Sequence, residues 1–416
     1  MAQIRPFRGL RPRPDLAEKV ASPPYDVISS EEARKMAEGN PYSFLHVNKP
    51  EIDLPPETDP YDPAVYAKGA ENLSLLIADG VFKKDVKAHL YIYRQVMNEH
   101  VQLGLVACVS CQEYREDRIK KHELTRIDKE EDRLRHILSL NAQTGPVFLT
   151  YRAKKTIDAT IDQIIANEPV NDFKSADGIQ HTLWIVEDDA LIKLLQKEFA
   201  AIDVLYVADG HHRSAAAARA AGELAGKNPA AGSEAEFNFF LSVIFPDNQL
   251  KIMDYNRVVK DLNGLSEQAF IDKLRNKFLV REFARSEGYK PKTKHDFGMY
   301  INGMWYRLSA IPGTWNDNDP KEKLDVSILY NNLLQPILGI GDLRTDKRID
   351  FVGGIRGIEG LEERVDKQEM MVAFSLFPTS IEDLMAIADA GEIMPPKTTW
   401  FEPKLRSGLF IHSLDG

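Results

Sequence analysis

Residues 204–226, VLYVADGHHRSAAAARAAGELAG, constrain the fold more than any other stretch. A short apolar run, which predicts a buried strand, ends at Asp209, and an alanine-rich helix starts within one turn of it. That turn places an acid, a glycine, two histidines and an arginine in succession. The rest of the chain also mixes strand and helix signals, so the expected class is α/β or mixed α+β. Residues 88–114 read as a β-hairpin turning near Asn98, and Asn302-Gly303 marks a second hairpin with a type I′ turn. FNFFLSVIFP and PYSFLHVN read as strands. Ser29 or Ser30 caps a helix that stops at Gly39, and LDVSILYNNLLQPIL is helical up to Pro336.

A chain of 416 residues exceeds one simple core, and a composition shift near residue 262 suggests two domains, 1–262 and 263–416. The formal charge of −10 disfavours nucleic acid as a partner, because a phosphate backbone attracts clustered Lys and Arg. The arginines at 5, 8, 11 and 13 are too few, and too interrupted by proline, to change that. The N-terminus has no apolar leader and no stretch is long enough to span a bilayer, so a cytoplasmic chain without a membrane partner is expected. A homo-oligomer is compatible with the sequence. The two cysteines, Cys108 and Cys111, follow an alternating run (Val101, Leu103, Leu105, Ala107, Val109) that reads as a strand. Residues three apart on a strand face opposite ways, so both are expected to be buried structural thiols.

The chemistry concentrates at 209–214. Gly210 supplies backbone freedom, and the first amides of the helix carry unsatisfied donors and the positive end of its dipole. His211, His212, Arg213 and Ser214 add donors at the same end, and a guanidinium can grip a phosphate or carboxylate bidentately. Asp209 is placed to orient a histidine, take a proton or bind Mg²⁺. The plainer alternative has Asp209 capping the helix, the histidines solvated and Arg213 paired with an acid. A second cluster, KKHELT, puts His122 and Glu123 between a strand and a charged helix as further candidate catalytic groups. It lacks the H-E-x-x-H spacing, and His136 is expected on a helix surface. Lys397 and Thr398, in MPPKTTWF, offer a candidate phosphate grip without a Walker motif. SPPYD (22–26) reads as a rigid turn, and Asn256-Arg257 either faces a pocket or ends a strand.

ADGHHRSAAAAR resembles the second box of the ParB/sulfiredoxin superfamily, which implies an α/β core of that kind, here with an inserted hairpin and a second C-terminal α+β domain. The sulfiredoxin nucleophile and the ParB glutamate both fall on His211. Sulfinic-acid repair is thus excluded by the missing thiol, and DNA partitioning is not expected. The free-serine-kinase branch, whose version of the box contains Asp-Gly and handles nucleotide phosphates, is the most similar in chemistry. Over nearly its whole length the chain resembles a family known as domain of unknown function 1015, through PFRGLRPRP, SPPYDVIS, IKKHELT, TGPVF, YVADGHHRSAAA, YNRVV and MPPKTTWFEPKLRSG.

The resemblance implies a small-molecule phosphotransferase, with ATP, ADP or another polyphosphate as donor, Mg²⁺ as cofactor and a small hydroxyl metabolite such as free serine as acceptor. A non-catalytic sensor of a nucleotide or anionic metabolite is the alternative, and a metal-dependent hydrolase a third.

Overall fold

The computed structural model describes residues 2–284 and 288–415. The fold is mixed α+β, as the sequence implies. Its residues cluster into two compact units, Met1–Leu250 with Pro403–Gly416, and Lys251–Glu402. The sequence reading places its one cut near 262. The observed division lies a little earlier and returns the last residues to the first unit, an arrangement that no composition shift encodes.

The first unit is organised on a nine-stranded mixed sheet. Its strands run in the spatial order Ile119–Lys120, Leu205–Asp209, Val147–Tyr151, Phe239–Pro246, His100–Ser110, Leu90–Met97, Gln180–Val186, Asn171–Lys174, and Ile4–Arg5 adds to His100–Ser110. The hairpin expected at 88–114 is present and turns at Asn98 with a positive φ. FNFFLSVIFP is the fully buried strand Phe239–Pro246. It pairs parallel with Val147–Tyr151 and antiparallel with His100–Ser110. Helices Lys155–Ile165, Asp189–Ala200 and His211–Lys227 bury Ile157, Leu195, Phe199 and Ala216 in the core with Leu105, Leu149 and Val207 of the sheet. Removing such side chains from water is worth roughly 1.5–3 kcal/mol each for the larger ones.

The second unit holds a six-stranded antiparallel sheet in the order Phe278–Phe283, Met304–Ala310, Asp296–Ile301, Val372–Leu376, Tyr255–Val259, Ile349–Gly353. The Asn302-Gly303 hairpin forms, with both turn residues at positive φ as a type I′ turn requires. Helix Glu359–Asp366 packs Leu361 into a cluster with Val258, Tyr300 and Trp305.

Three local expectations are corrected. PYSFLHVN is not a strand: Leu45–Asn48 is a helical turn whose Leu45 and Val47 are buried. A short apolar run carries no period to separate strand from helix, and here Phe44 and Val47 seat in a small cluster with Phe82 and Ile411. Cys111 does not continue the strand of Cys108 but opens the helix Cys111–Arg115, capped by the Ser110 hydroxyl. Both thiols are free and buried, and burial pushes Cys108 up and Cys111 up to about 12. His136 is not on a helix surface. It is buried, with Nε2 3.0 Å from the Val47 carbonyl.

Candidate functional site

The site is set by two neighbouring parallel strands. Ile119–Lys120 pairs with Leu205–Asp209 in the register Leu205↔Ile119 and Tyr206↔Lys120. The segments that follow each strand therefore emerge together: His122 and Glu123 from one, Asp209 to Ser214 from the other. Carboxyl ends of parallel strands are where open α/β sheets gather ligand-binding groups. On its other side Leu205–Asp209 pairs antiparallel with Val147–Tyr151, and a bulge between Val207 and Asp209 breaks the register just before the turn.

Gly210 makes the turn possible. Its φ is +95°, and a Cβ there would meet the Arg213 guanidinium at 3.1 Å, so the side chain of Arg213 folds back over the turn. Helix His211–Lys227 then begins with no side-chain cap on its first amides. Asp209 is not the cap of the plainer reading. Its Oδ1 accepts the Gly210 N–H at 2.9 Å, and its Oδ2 accepts from Lys404 Nζ at 3.0 Å. Burial opposes its charge, but Lys404 and Arg213 outweigh that and hold the carboxyl well below its usual range. Both carboxylate oxygens thus have partners, and a role as Mg²⁺ ligand would require Lys404 to leave.

Arg213 is buried. One Nη donates to the Pro146 carbonyl, while Nε has no hydrogen-bond partner. His211 is buried with Nε2 unpartnered, and His122 is buried with no well-formed hydrogen bond, its ring reaching only toward the Val207 backbone. Their rings stand edge to face, centroids 4.4 Å apart. Burial lowers both from the ordinary histidine range, His122 to about 4. His212 instead ties the two loops together, its Nε2 accepting the Arg126 N–H at 3.1 Å. Ser214 donates to the His211 carbonyl within the first helical turn. Further along, Arg219 bridges Glu130 at 3.1 Å and Glu131 at 2.8 Å, fastening the charged helix Ile127–Leu140 to the alanine-rich one.

Beside Arg213 lies a cavity of about 30 Å³, bordered also by Tyr25, Asn48, Arg133, Gln143 and Gly145. That is room for one or two waters. Arg133 stacks on Tyr25 at 3.8 Å and pairs with Asp132 at 2.7 Å, so the SPPYD turn does more than punctuate the chain.

The structure therefore brings together Asp209, Gly210, His211, Arg213, Ser214, His122 and Glu123. Lys397 and Thr398 belong to the second unit, where the Lys397 carbonyl accepts from Arg257 Nη2 at 3.0 Å and the Thr398 hydroxyl bonds the Pro395 carbonyl. Asn256 and Arg257 lie within the strand Tyr255–Val259 of that unit. Sequence reasoning missed Lys404 and Arg133, and it read the SPPYD turn that carries Tyr25 as structural.

Among solved structures, a free serine kinase variant in complex with AMP is similar at 15% identity and a TM-score of 0.35, covering 68% of this chain and 84% of that one. A conserved hypothetical protein from Pyrococcus furiosus is similar at 18% identity and a TM-score of 0.32, covering 70% and 89%. SbnI with C-terminal truncation from Staphylococcus aureus is similar at 12% identity and a TM-score of 0.34, covering 72% and 84%. No curated protein matches the sequence. Residues 4–327 match the family described as "Protein of unknown function (DUF1015)". That match takes in both loops of the site, and the chain belongs to the DUF1015 family.

Proposed function

We propose that the turn 209–214 binds the phosphate of a nucleotide or other polyphosphate, and that the protein is a small-molecule phosphotransferase acting on a hydroxyl metabolite, with free serine among the candidates. One observation carries the reading. Arg213 is buried at a helix N-terminus, beside a small cavity, with Nε unpartnered. A buried, unsatisfied guanidinium donor is costly unless an anion completes it. The free first amides of the helix favour the same charge, and Arg133 adds a second cation to the cavity wall.

Phosphoryl transfer is mostly positioning and charge stabilisation, which is what such a turn supplies. In this reading Gly210, His212, Arg213 and Ser214 frame the phosphate. Asp209, released from Lys404, takes the acceptor proton, with His122, His211 and Glu123 alongside. A donor of this kind carries Mg²⁺, whose charge offsets that of the phosphates. The cavity must widen to admit a phosphate, because its present volume suits only water.

A second reading, a sensor that binds such an anion without turnover, is favoured by the Asp209–Lys404 pair, which withholds the Asp209 carboxylate from service as a base. A thermal-shift panel with AMP, ADP, ATP, pyrophosphate and serine, with and without Mg²⁺, tests binding. A ligand at about a hundred times its dissociation constant stabilises by about 2.7 kcal/mol. That shift is expected in wild type and should largely vanish in Arg213→Lys, which keeps the charge but loses the fork. No shift with any phosphate would remove the proposal. Binding without labelled product when serine and other small alcohols are supplied would select the sensor.

A further inference from the structure

His122, Glu123 and His211 form a cluster that the phosphate reading leaves without a defined task. Their ligating atoms, one from each residue, all lie within 4.8 Å of one another, and among the described residues they are the one group of three or more His, Cys, Asp or Glu side chains so gathered. His122 is 2% exposed and His211 5% exposed. The Nε2 of His211 has no hydrogen-bond partner, and His122 makes no well-formed one, its ring reaching only toward the Val207 backbone. Buried imidazole nitrogens are normally well satisfied, so two such poorly satisfied rings standing edge to face with centroids 4.4 Å apart demand an explanation. A stacking role does not supply one, since phenylalanine would stack as well without the cost of desolvating the nitrogens.

We propose that His122, His211 and Glu123 bind a divalent transition-metal ion, with zinc the best fit. Two imidazoles and one carboxylate are a donor set suited to zinc in a site that keeps a fourth position for water or a ligand oxygen. Magnesium is disfavoured here because it prefers an all-oxygen octahedron. Ligand bonds of about 2.0–2.2 Å require donors closer together than 4.8 Å, so binding draws the three side chains inward. Glu123 sits on the loop after Ile119–Lys120 and is only half-buried. Asp209, a residue before the Gly210 turn, contributes negative charge nearby while keeping Lys404. The assignment rests on the cluster's own geometry, and it stands or falls separately from phosphate binding at Arg213.

The test uses the full chain, stripped with a chelator and titrated calorimetrically with Zn²⁺ in phosphate-free, nucleotide-free buffer. Co²⁺ serves as a spectroscopic stand-in. One equivalent of Zn²⁺ and a tetrahedral Co²⁺ absorption band are expected. Loss of even an outer-sphere partner typically weakens a metal site roughly 10–100-fold, so removing a ligand should cost more than about a hundredfold. His211→Gln and Glu123→Gln should both show that loss. If His211→Gln fails to fold, Glu123→Gln decides, since its half-exposed side chain can be changed without opening the core. Wild type that takes up no stoichiometric Zn²⁺ or Co²⁺, or a Glu123→Gln protein that binds as tightly as wild type, would overturn the assignment.

Discussion

Asp209 and Lys404 offer the sharpest quantitative test of how this site is held. Their charged atoms are 3.0 Å apart, with side chains 29% and 15% exposed. Coulomb attraction at that distance with an effective dielectric constant near 20 is about 5 kcal/mol. Desolvating both groups consumes much of it, and the pair lies between the exposed limit of about 0–1 kcal/mol and the 3–5 kcal/mol cost of breaking a fully buried pair. A double-mutant cycle of Asp209→Asn and Lys404→Met should therefore return a coupling of about 1–3 kcal/mol near pH 7. Urea melts followed by tryptophan fluorescence and circular dichroism give the four stabilities.

The sign of the pH dependence follows from the depressed Asp209. Its folded carboxyl ionises more readily than the unfolded one, whose pKa is about 3.9, so the contribution is complete above that value and fades as acid titrates the folded group. The coupling should be flat from pH 8 to 5 and shrink only below about 4. A coupling under about 0.5 kcal/mol at pH 7, or one that varies between pH 6 and 8, would refute the argument and leave the contact a surface pair.

Other consequences are more direct. Gly210→Ala should cost about 1–3 kcal/mol, because it places a side chain at φ +95° and against the Arg213 guanidinium; the same substitution should also erase any phosphate-dependent thermal shift. An unchanged melting temperature would show that the turn tolerates a Cβ. His136 is held neutral to about pH 4, chiefly by burial, whereas the unfolded imidazole titrates near 6.5. Its contribution is whole above about 6.5 and is lost as pH falls toward 4, by up to about 3 kcal/mol. His136→Gln, whose amide can still reach the Val47 carbonyl, should flatten that part of the stability–pH curve; an identical slope in the two proteins would put the acid sensitivity elsewhere. Arg213→Lys and Glu123→Gln supply the ligand-binding tests of the two site proposals.

Much of the architecture was legible because it is local. The alternation in 101–109 and the Asn302-Gly303 pair reflect backbone chemistry within a few residues, and both hairpins form as read. PYSFLHVN failed because its burial comes from Phe82 and Ile411, partners distant in sequence, and four apolar residues around a histidine have no period of their own. His136 failed for a similar reason. On a helix that reads as charged, its neighbour is the Val47 carbonyl of that same misread segment, so one error concealed the other.

The site shows where local reading ends. D-G-H-H-R announces itself because a positive-φ glycine, a helix start and a run of titratable groups are contiguous. Glu123 and His122 could be suspected from composition, but their meeting with His211 depends on a two-residue parallel pairing, Ile119–Lys120 against Leu205–Asp209, that is too short to leave any pattern. Lys404 was invisible for a deeper reason. The chain leaves the first unit at residue 250, builds a second unit, and returns for its last residues. On that return Lys404 comes within 3.0 Å of an aspartate 195 positions earlier. Closing so long a loop costs entropy that the ion pair alone repays poorly. The hydrogen bond from Gln95 Nε2 to the Lys404 carbonyl and the burial of Leu405, Phe410 and Ile411 hold the returning segment in place. The lysine is thus carried to Asp209 by packing that its own sequence neighbourhood only partly encodes. A substitution in that packing, such as Phe410→Ala, should therefore loosen Lys404 from Asp209 and raise the Asp209 pKa without touching either residue; if carboxylate titration by NMR shows Asp209 unmoved in a folded Phe410→Ala protein, the pair positions itself and the tail is only its passenger.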